Sequence, residues 1–144
     1  LPILVLPEGD RKLVVTVHYY NPFRFTHQGA SWAGPEAAQW LGTKWNGTRA
    51  EQQAIERDFD RAIRWAVERR RPIYLGEFGA FERADLDSRA RWTRCVAEEA
   101  LKRKMGFAYW EFCSGFGAYD SQRGTWIQPL RDALIPPASA GRPR

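Results

Sequence analysis

Strands and helices alternate along this sequence, which predicts an α/β fold with a parallel sheet. Three apolar runs are typical of strands, and the two long stretches between them carry apolar residues at helical spacing. Strands joined by such helices take right-handed crossovers. A sheet of only three strands would have open edges, so the pattern predicts part of a larger (β/α)8 barrel, a TIM-barrel fragment.

The first strand is predicted over residues 12–20, which are rich in β-branched residues and stop at Asn21-Pro22. Alternation places His18 and Tyr20 on one face. A long loop follows to about residue 47, with a short helix expected near residues 35–41. Long loops inside compact domains are usually functional or disordered, and an aromatic-rich loop fits disorder poorly. Its aromatic and histidine residues are Phe23, Phe25, His27, Trp32, Trp40 and Trp45.

The first long helix is predicted to begin after Thr48, because Thr48 and Glu51 have capping-box spacing, and to end near Arg70. The second strand lies within residues 71–80. Glu77 is at its C-terminal end, between Gly76 and Gly79. A charged side chain beside a buried strand is costly unless another group pairs with it or it has a functional role. The glycines allow another backbone segment or a ligand to approach closely.

The second long helix is predicted to start at Asp87 or Ser88, reach about Lys104 and be closed by Gly106. A third strand is predicted over 107–112, then a glycine- and aromatic-rich loop over 114–120. A short helix over 127–134 has Pro129 in its first turn. The composition predicts one structured portion over 1–135 and a disordered tail over 136–144.

Composition narrows the possible functions. The 144 residues carry a net charge of +5, which would suit nucleic-acid binding with steep salt dependence. The basic residues mostly neighbour acids, and the run 69–71 suits a helix C-terminus, so no nucleic-acid partner is expected. No apolar run is long enough to span a membrane, so no membrane association is expected.

Metal and disulfide chemistry receive little support from the sequence. Cys95 and Cys113 match no zinc spacing, and they are either a disulfide pair or, as we expect, two buried free thiols. His18 and His27 are the only histidines and have no carboxylate cluster beside them. The sequence therefore predicts no metal site.

Catalytic groups in (β/α)8 barrels lie at the C-terminal ends of the strands, where Tyr20, Glu77 and Trp110 fall. Four segments at or beside these ends together resemble the last three strands of glycoside hydrolase family 5, which includes many secreted endo-β-1,4-glucanases. The four segments are His18-Tyr19-Tyr20, residues 25–32 (FTHQGASW), residues 75–79 (LGEFG) and residues 108–112 (AYWEF).

The resemblance implies a retaining endo-β-1,4-glucanase that acts on β-glucan or cellulose, needs no cofactor and is secreted or periplasmic. It implies that Glu77 is the nucleophile, that Tyr20 bonds it and that His18 contacts the sugar near the cleaved bond. It also implies that Trp110 stacks under the sugar at the cleavage site. Trp32 offers a second flat platform for a longer glucan chain.

The sequence departs from the family pattern in one respect. Family members carry the acid/base glutamate as Asn-Glu on the fourth strand, and this chain has no Asn-Glu pair. Strand alternation points Glu111 to the face opposite Trp110. We therefore expect a segment without the N-terminal part of the barrel, inactive alone and prone to self-association. The alternative is a non-catalytic half-barrel that binds glucan through its loop aromatics.

Overall fold

The computed structural model describes residues 4–7, 9–10 and 12–135. Its centre is a parallel sheet of three strands in the order β1 (Val15–Tyr19), β2 (Ile73–Phe78) and β3 (Gly106–Phe107). The parallel α/β arrangement predicted from the alternation is confirmed. The tail predicted over 136–144 lies outside the described residues.

Two helices, α2 (Arg49–Arg69) and α3 (Leu86–Lys102), pack on one face of this sheet and connect its strands. A short helix, α1 (Phe23–Thr26), lies in the loop after β1, and α4 (Gln128–Leu134) packs against α3. Two 3-10 helices, Ser31–Ala33 and Pro35–Trp40, lie in the long loop after β1, and a small antiparallel hairpin, β4 (Tyr119–Asp120) and β5 (Thr125–Trp126), precedes α4. None of the helices in the described part of the chain is long and apolar enough to cross a membrane.

Both ends of α2 were predicted correctly from the residues at those ends. The Thr48 hydroxyl accepts from the Glu51 amide, and the Glu51 carboxylate accepts from the Thr48 amide at 2.7 Å, so the predicted capping box is present. Arg70 takes a left-handed conformation at the other end, just before Arg71-Pro72. The start of α3 was predicted wrongly, because Asp85, rather than Asp87 or Ser88, caps it by accepting from the Ser88 amide at 2.9 Å.

The third strand is much shorter than predicted. Only Gly106 and Phe107 pair with β2 in the ladder, and Gly106 opens this strand instead of closing α3. The chain still follows β2, since the Trp110 amide donates to the Phe78 carbonyl at 2.9 Å. It then turns toward the β4–β5 hairpin, whose Tyr119 amide donates to the carbonyl of Phe112 at 2.8 Å.

The core lies between the sheet and the helices. Its largest fully buried side chains include Phe25, Ile55, Leu75, Phe78 and Trp92. The opposite face of the sheet is open, and Thr16, His18 and Tyr74 are exposed there. Both cysteines are free thiols, as expected, but Cys95 is only half-buried and Cys113 is exposed.

Candidate active site

A cleft of about 490 Å³ opens at the C-terminal ends of the three strands. Its walls come from the loops that follow β1, β2 and β3, and its lining is mainly aromatic with two carboxylates. The lining residues are Tyr20, His27, Trp32, Glu77, Trp110, Glu111, Ser114, Gly115 and Phe116. Four residues predicted to act at one site, Tyr20, Trp32, Glu77 and Trp110, are therefore brought to one cavity.

Two glycines allow Glu77 to occupy its position. The β1–β2 register shifts between Val17 and His18, where Gly76 is the extra residue of β2. A Cβ on Gly76 would lie 2.3 Å from the Thr16 hydroxyl oxygen, and one on Gly79 would lie 2.0 Å from the Trp110 carbonyl oxygen. The clash at Gly79 is with backbone and cannot be relieved by a side-chain rotation, so glycine is needed there, and at Gly76 the Thr16 side chain would have to move.

The Glu77 carboxylate has two neighbours from β1 and the residue after it. The Tyr20 hydroxyl donates to Glu77 Oε2 at 2.8 Å, and His18 Nδ1 lies 3.3 Å from the same oxygen. Burial raises the pKa of the Tyr20 hydroxyl well above its usual value, and the bond to Glu77 raises it further. Tyr20 therefore remains a proton donor to the carboxylate over the whole neutral range.

Two tryptophans offer flat apolar surface to the cleft. Trp110 is 44% exposed and Trp32 is 64% exposed. Trp32 packs edge-on against Phe81, with ring centroids 4.8 Å apart. Exposed indole rings beside a held carboxylate suit the C–H face of a pyranose.

Glu111 does not lie where strand alternation predicted. It lines the same cleft as Trp110 rather than the opposite face, and Glu111 Oε1 accepts from the Phe116 amide at 3.5 Å. The prediction failed because β3 ends at Phe107, so period-two alternation no longer applies at 110 and 111. The Trp110–Glu111 peptide bond is cis.

The place of His27 in the long aromatic loop, away from a strand end in the sequence, indicated a residue that braces this loop by hydrogen bonding rather than a catalytic one. Its Nδ1 does lie 2.9 Å from the Thr26 hydroxyl, and its ring stacks on Phe23 at 3.9 Å. The location was wrong, because His27 lines the cleft with its ring 5.0 Å from that of Tyr20. Burial lowers the pKa of His27, which favours the neutral imidazole.

Phe116 was missed by the sequence reasoning. Its ring packs against Tyr20, His27 and Phe81, with centroids 6.1, 5.4 and 5.5 Å away. The available signal was its place between Gly115 and Gly117 in a loop rich in glycine and aromatic residues. Within the residues that the structure describes, no group of three or more His, Cys, Asp or Glu side chains is placed to hold a metal ion.

The arrangement is suited to chemistry on a sugar. A carboxylate whose side chain is 27% exposed faces a cleft with aromatic walls; the Tyr20 hydroxyl donates to it, and His18 Nδ1 lies 3.3 Å away. A carboxylate held in this way can attack an anomeric carbon or stabilise positive charge developing there.

The sequence of this chain is similar to those of known enzymes that act on glucans. Residues 2–115 match the model of the cellulase family, glycosyl hydrolase family 5. Endoglucanase H of Acetivibrio thermocellus is 32% identical over 123 residues, covering 85% of this chain and 12% of that protein. Endoglucanase B of Clostridium cellulovorans is 28% identical, covering 94% of this chain and 31% of that protein.

A solved structure also matches closely. Cel5A of Thermotoga maritima in complex with mannotriose superimposes with a TM-score of 0.90 at 48% identity, over 94% of this chain and 43% of that one. The chain thus spans less than half the length of these relatives, and its sheet and helices match part of a (β/α)8 barrel. The family model and the structural match together show that the chain belongs to glycoside hydrolase family 5.

Proposed function

We propose that the chain is the C-terminal part, roughly the last three βα units, of a retaining endo-β-1,4-glucanase that hydrolyses β-glucan or cellulose. The observation that carries this proposal is the Glu77 carboxylate, which accepts from Tyr20 at 2.8 Å at the floor of an aromatic cleft. The relatives named above as endoglucanases support the reaction class. The solved structures of Cel5A with mannotriose and with cellobiose support a β-linked sugar substrate.

In the proposed reaction Glu77 attacks the anomeric carbon while a second carboxylic acid protonates the departing glycosidic oxygen. This forms a glycosyl ester on Glu77 and releases the part of the glucan that carries the departing oxygen. The second group, now a carboxylate, takes a proton from water, and the water oxygen displaces Glu77. The proposed cycle uses no cofactor.

The surrounding residues have distinct proposed roles. Tyr20 fixes the orientation of the carboxylate through its hydroxyl, and His18, 3.3 Å from the same oxygen, supports it and contacts sugar beside the cleaved bond. Trp110 stacks under the sugar at the cleavage site. Trp32, on the facing loop, carries the next sugars of the chain.

We assign the acid/base role to a carboxyl group in the part of the barrel that this chain does not cover. A retaining glycosidase holds its two carboxyls about 5–5.5 Å apart on either side of the scissile bond. Glu111 lines the same cleft, but it lies on the neighbouring loop beside Trp110 and its Oε1 accepts from the Phe116 amide. We therefore do not assign the acid/base role to Glu111. In this proposal the N-terminal part of a barrel supplies the acid, and the isolated segment has negligible activity.

A chimeric barrel tests the proposal. It joins this chain to the part of Thermotoga maritima Cel5A that the structural match leaves uncovered. We expect the chimeric barrel to hydrolyse soluble β-glucan, its Glu77→Gln variant to lose at least about 1,000-fold in kcat, and the segment alone to be inactive. Robust turnover by the segment alone, or by the Glu77→Gln chimera, contradicts the proposal.

The second candidate is a half-barrel that binds glucan without cutting it. The exposure of Trp32 and Trp110 favours it, since both rings are available before any partner is added. Isothermal titration of the segment with cellotetraose distinguishes the two. Binding by the segment that survives Glu77→Ala, together with no cleavage by the chimeric barrel, favours the binding module.

Two further properties belong to the proposal. Cellulose does not cross membranes, so the enzyme would act as a secreted or periplasmic protein.

The open face with Thr16, His18 and Tyr74 and the free sheet edges would make the isolated segment self-associate. Light scattering that finds a stable, compact monomer would contradict the second property.

A further inference from the structure

A buried arginine outside the cleft joins two of the loops that form it. Arg89 lies in the first turn of α3 and is 5% exposed. Its Nε donates to the carbonyl of Ala80 at 3.0 Å. Its Nη2 donates to the carbonyls of Phe116 and Gly117, each at 3.3 Å.

The hydrogen bonds of the Arg89 guanidinium are to backbone carbonyls, and the Tyr109 hydroxyl lies beside it. Among the ion pairs of the described residues, none includes Arg89. Burying a cation is costly unless its donors are satisfied. The planar guanidinium can direct several N–H groups at fixed angles to separate carbonyls, whereas a lysine ammonium cannot reproduce that fork.

The three carbonyls belong to the two loops that carry the site. Ala80 is three residues after Glu77 on the loop that follows β2. Phe116 and Gly117 lie in the loop after β3, which also carries Trp110 and Glu111. Arg89 therefore bridges the backbone beside the proposed nucleophile and the backbone of the sugar-facing wall.

Other contacts strengthen the same junction. The hydroxyl of Tyr109, whose pKa burial raises, donates to the Phe116 carbonyl at 2.9 Å. The Glu82 amide donates to the Gly115 carbonyl at 2.8 Å. Phe116 thus has its carbonyl fixed by two donors while its ring faces Tyr20 and His27 in the cleft.

We propose that Arg89 is a positioning residue for the glycosidase reaction: by joining the loops after β2 and β3, it sets the placement of the Trp110–Phe116 wall relative to Glu77. This inference rests on the proposed function. A shift of about 1 Å at a reacting centre can cost about 100-fold in rate. Loss of the bridge therefore impairs catalysis beyond any loss of stability.

The test compares Arg89→Met with Arg103→Met in the chimeric barrel. Arg103 is a suitable control because it is also largely buried and fixed, by Glu99 and Asp60 between α3 and α2, but away from the cleft. At 25 °C on cello-oligosaccharides, we expect Arg89→Met to lower kcat/KM by about 10- to 100-fold, with a rise in KM and a fall in kcat. Arg103→Met lowers Tm but leaves both constants within about twofold.

Equal kinetics for the two variants, with only Tm lowered, would show that Arg89 is merely structural and would overturn the inference. If Arg89→Met does not fold, Arg89→Lys decides. A fall of about fivefold or more in kcat/KM supports the bridge, and unchanged kinetics refutes it. The Glu77→Gln variant separates the two proposals. If the Glu77→Gln chimera is active, the proposed function is refuted. If it is inactive while the Arg89 variants have unchanged kinetics, only the inference about Arg89 is refuted.

Discussion

Replacing Tyr20 by phenylalanine isolates one hydrogen bond at the proposed nucleophile. The substitution removes only the hydroxyl that donates to Glu77 Oε2 at 2.8 Å. The ring keeps its edge contacts with His27 and Phe116, at 5.0 and 6.1 Å. Any change in rate therefore reports on the carboxylate rather than on repacking of the cleft.

The size of the effect follows from the chemistry of that bond. A hydrogen bond to a charged group is worth about 1.5–3 kcal/mol, and about 1.4 kcal/mol corresponds to a tenfold change in rate. Without the hydroxyl, the Glu77 carboxylate loses the donor that fixes its orientation toward the anomeric carbon. We expect kcat/KM of the chimeric barrel to fall by about 10- to 100-fold.

The assay is hydrolysis of a soluble β-glucan at neutral pH, and the matched control is Tyr19→Phe. Tyr19 is the adjacent tyrosine on the helix side of the sheet, where its hydroxyl donates to Asp58 Oδ2 at 3.2 Å. Tyr19→Phe should lower stability while leaving kcat/KM within about twofold. Equal rates for the Tyr20→Phe variant and the unmodified chimeric barrel would refute the proposed role of the hydroxyl.

Three further predictions concern the cleft wall, acid stability and the α2 cap. Trp110→Ala should weaken cello-oligosaccharide binding by about 2- to 10-fold, because stacking on an aromatic ring contributes about 0.5–1.5 kcal/mol; unchanged affinity by titration calorimetry would contradict this. Burial lowers the pKa of His27, so the unfolded state binds its proton first. The unfolding free energy should therefore fall as pH drops below about 6.5, by at most about 1.4 kcal/mol per pH unit; urea titrations of the chimeric barrel and its His27→Gln variant from pH 8 to 5 measure this, and an identical pH dependence in both would contradict it. Thr48→Ala should cost about 1 kcal/mol, with Thr48→Ser as the control that retains the hydroxyl, and equal stability of the two variants would exclude the cap.

Features set by neighbouring residues could be predicted from the sequence. The Thr48–Glu51 capping box depends on local geometry, and it is present as expected. The start of α3 was ambiguous because Asp85, Asp87 and Ser88 are all acceptable caps. Local preference alone could not rank them, and the structure selects Asp85.

Features set by distant contacts could not be predicted. The length of β3 depends on how the chain crosses Gly79 and joins the hairpin at Phe112. That early end places Glu111 in the cleft, contrary to strand alternation. Arg89 resembles any arginine on a solvated helix in the sequence, and only packing shows that its donors meet carbonyls on two loops.

The most direct test of the central claim is to identify the residue that becomes covalently bound to sugar. The chimeric barrel is incubated with a 2-deoxy-2-fluoro-cellobioside carrying a good leaving group, which slows breakdown of a glycosyl-enzyme ester, and is then digested for mass spectrometry. The proposed mechanism predicts one added fluorosugar, on the peptide that contains Glu77. A label on Glu111 or another residue, or an unlabelled enzyme that hydrolyses the reagent with inversion, would contradict the mechanism.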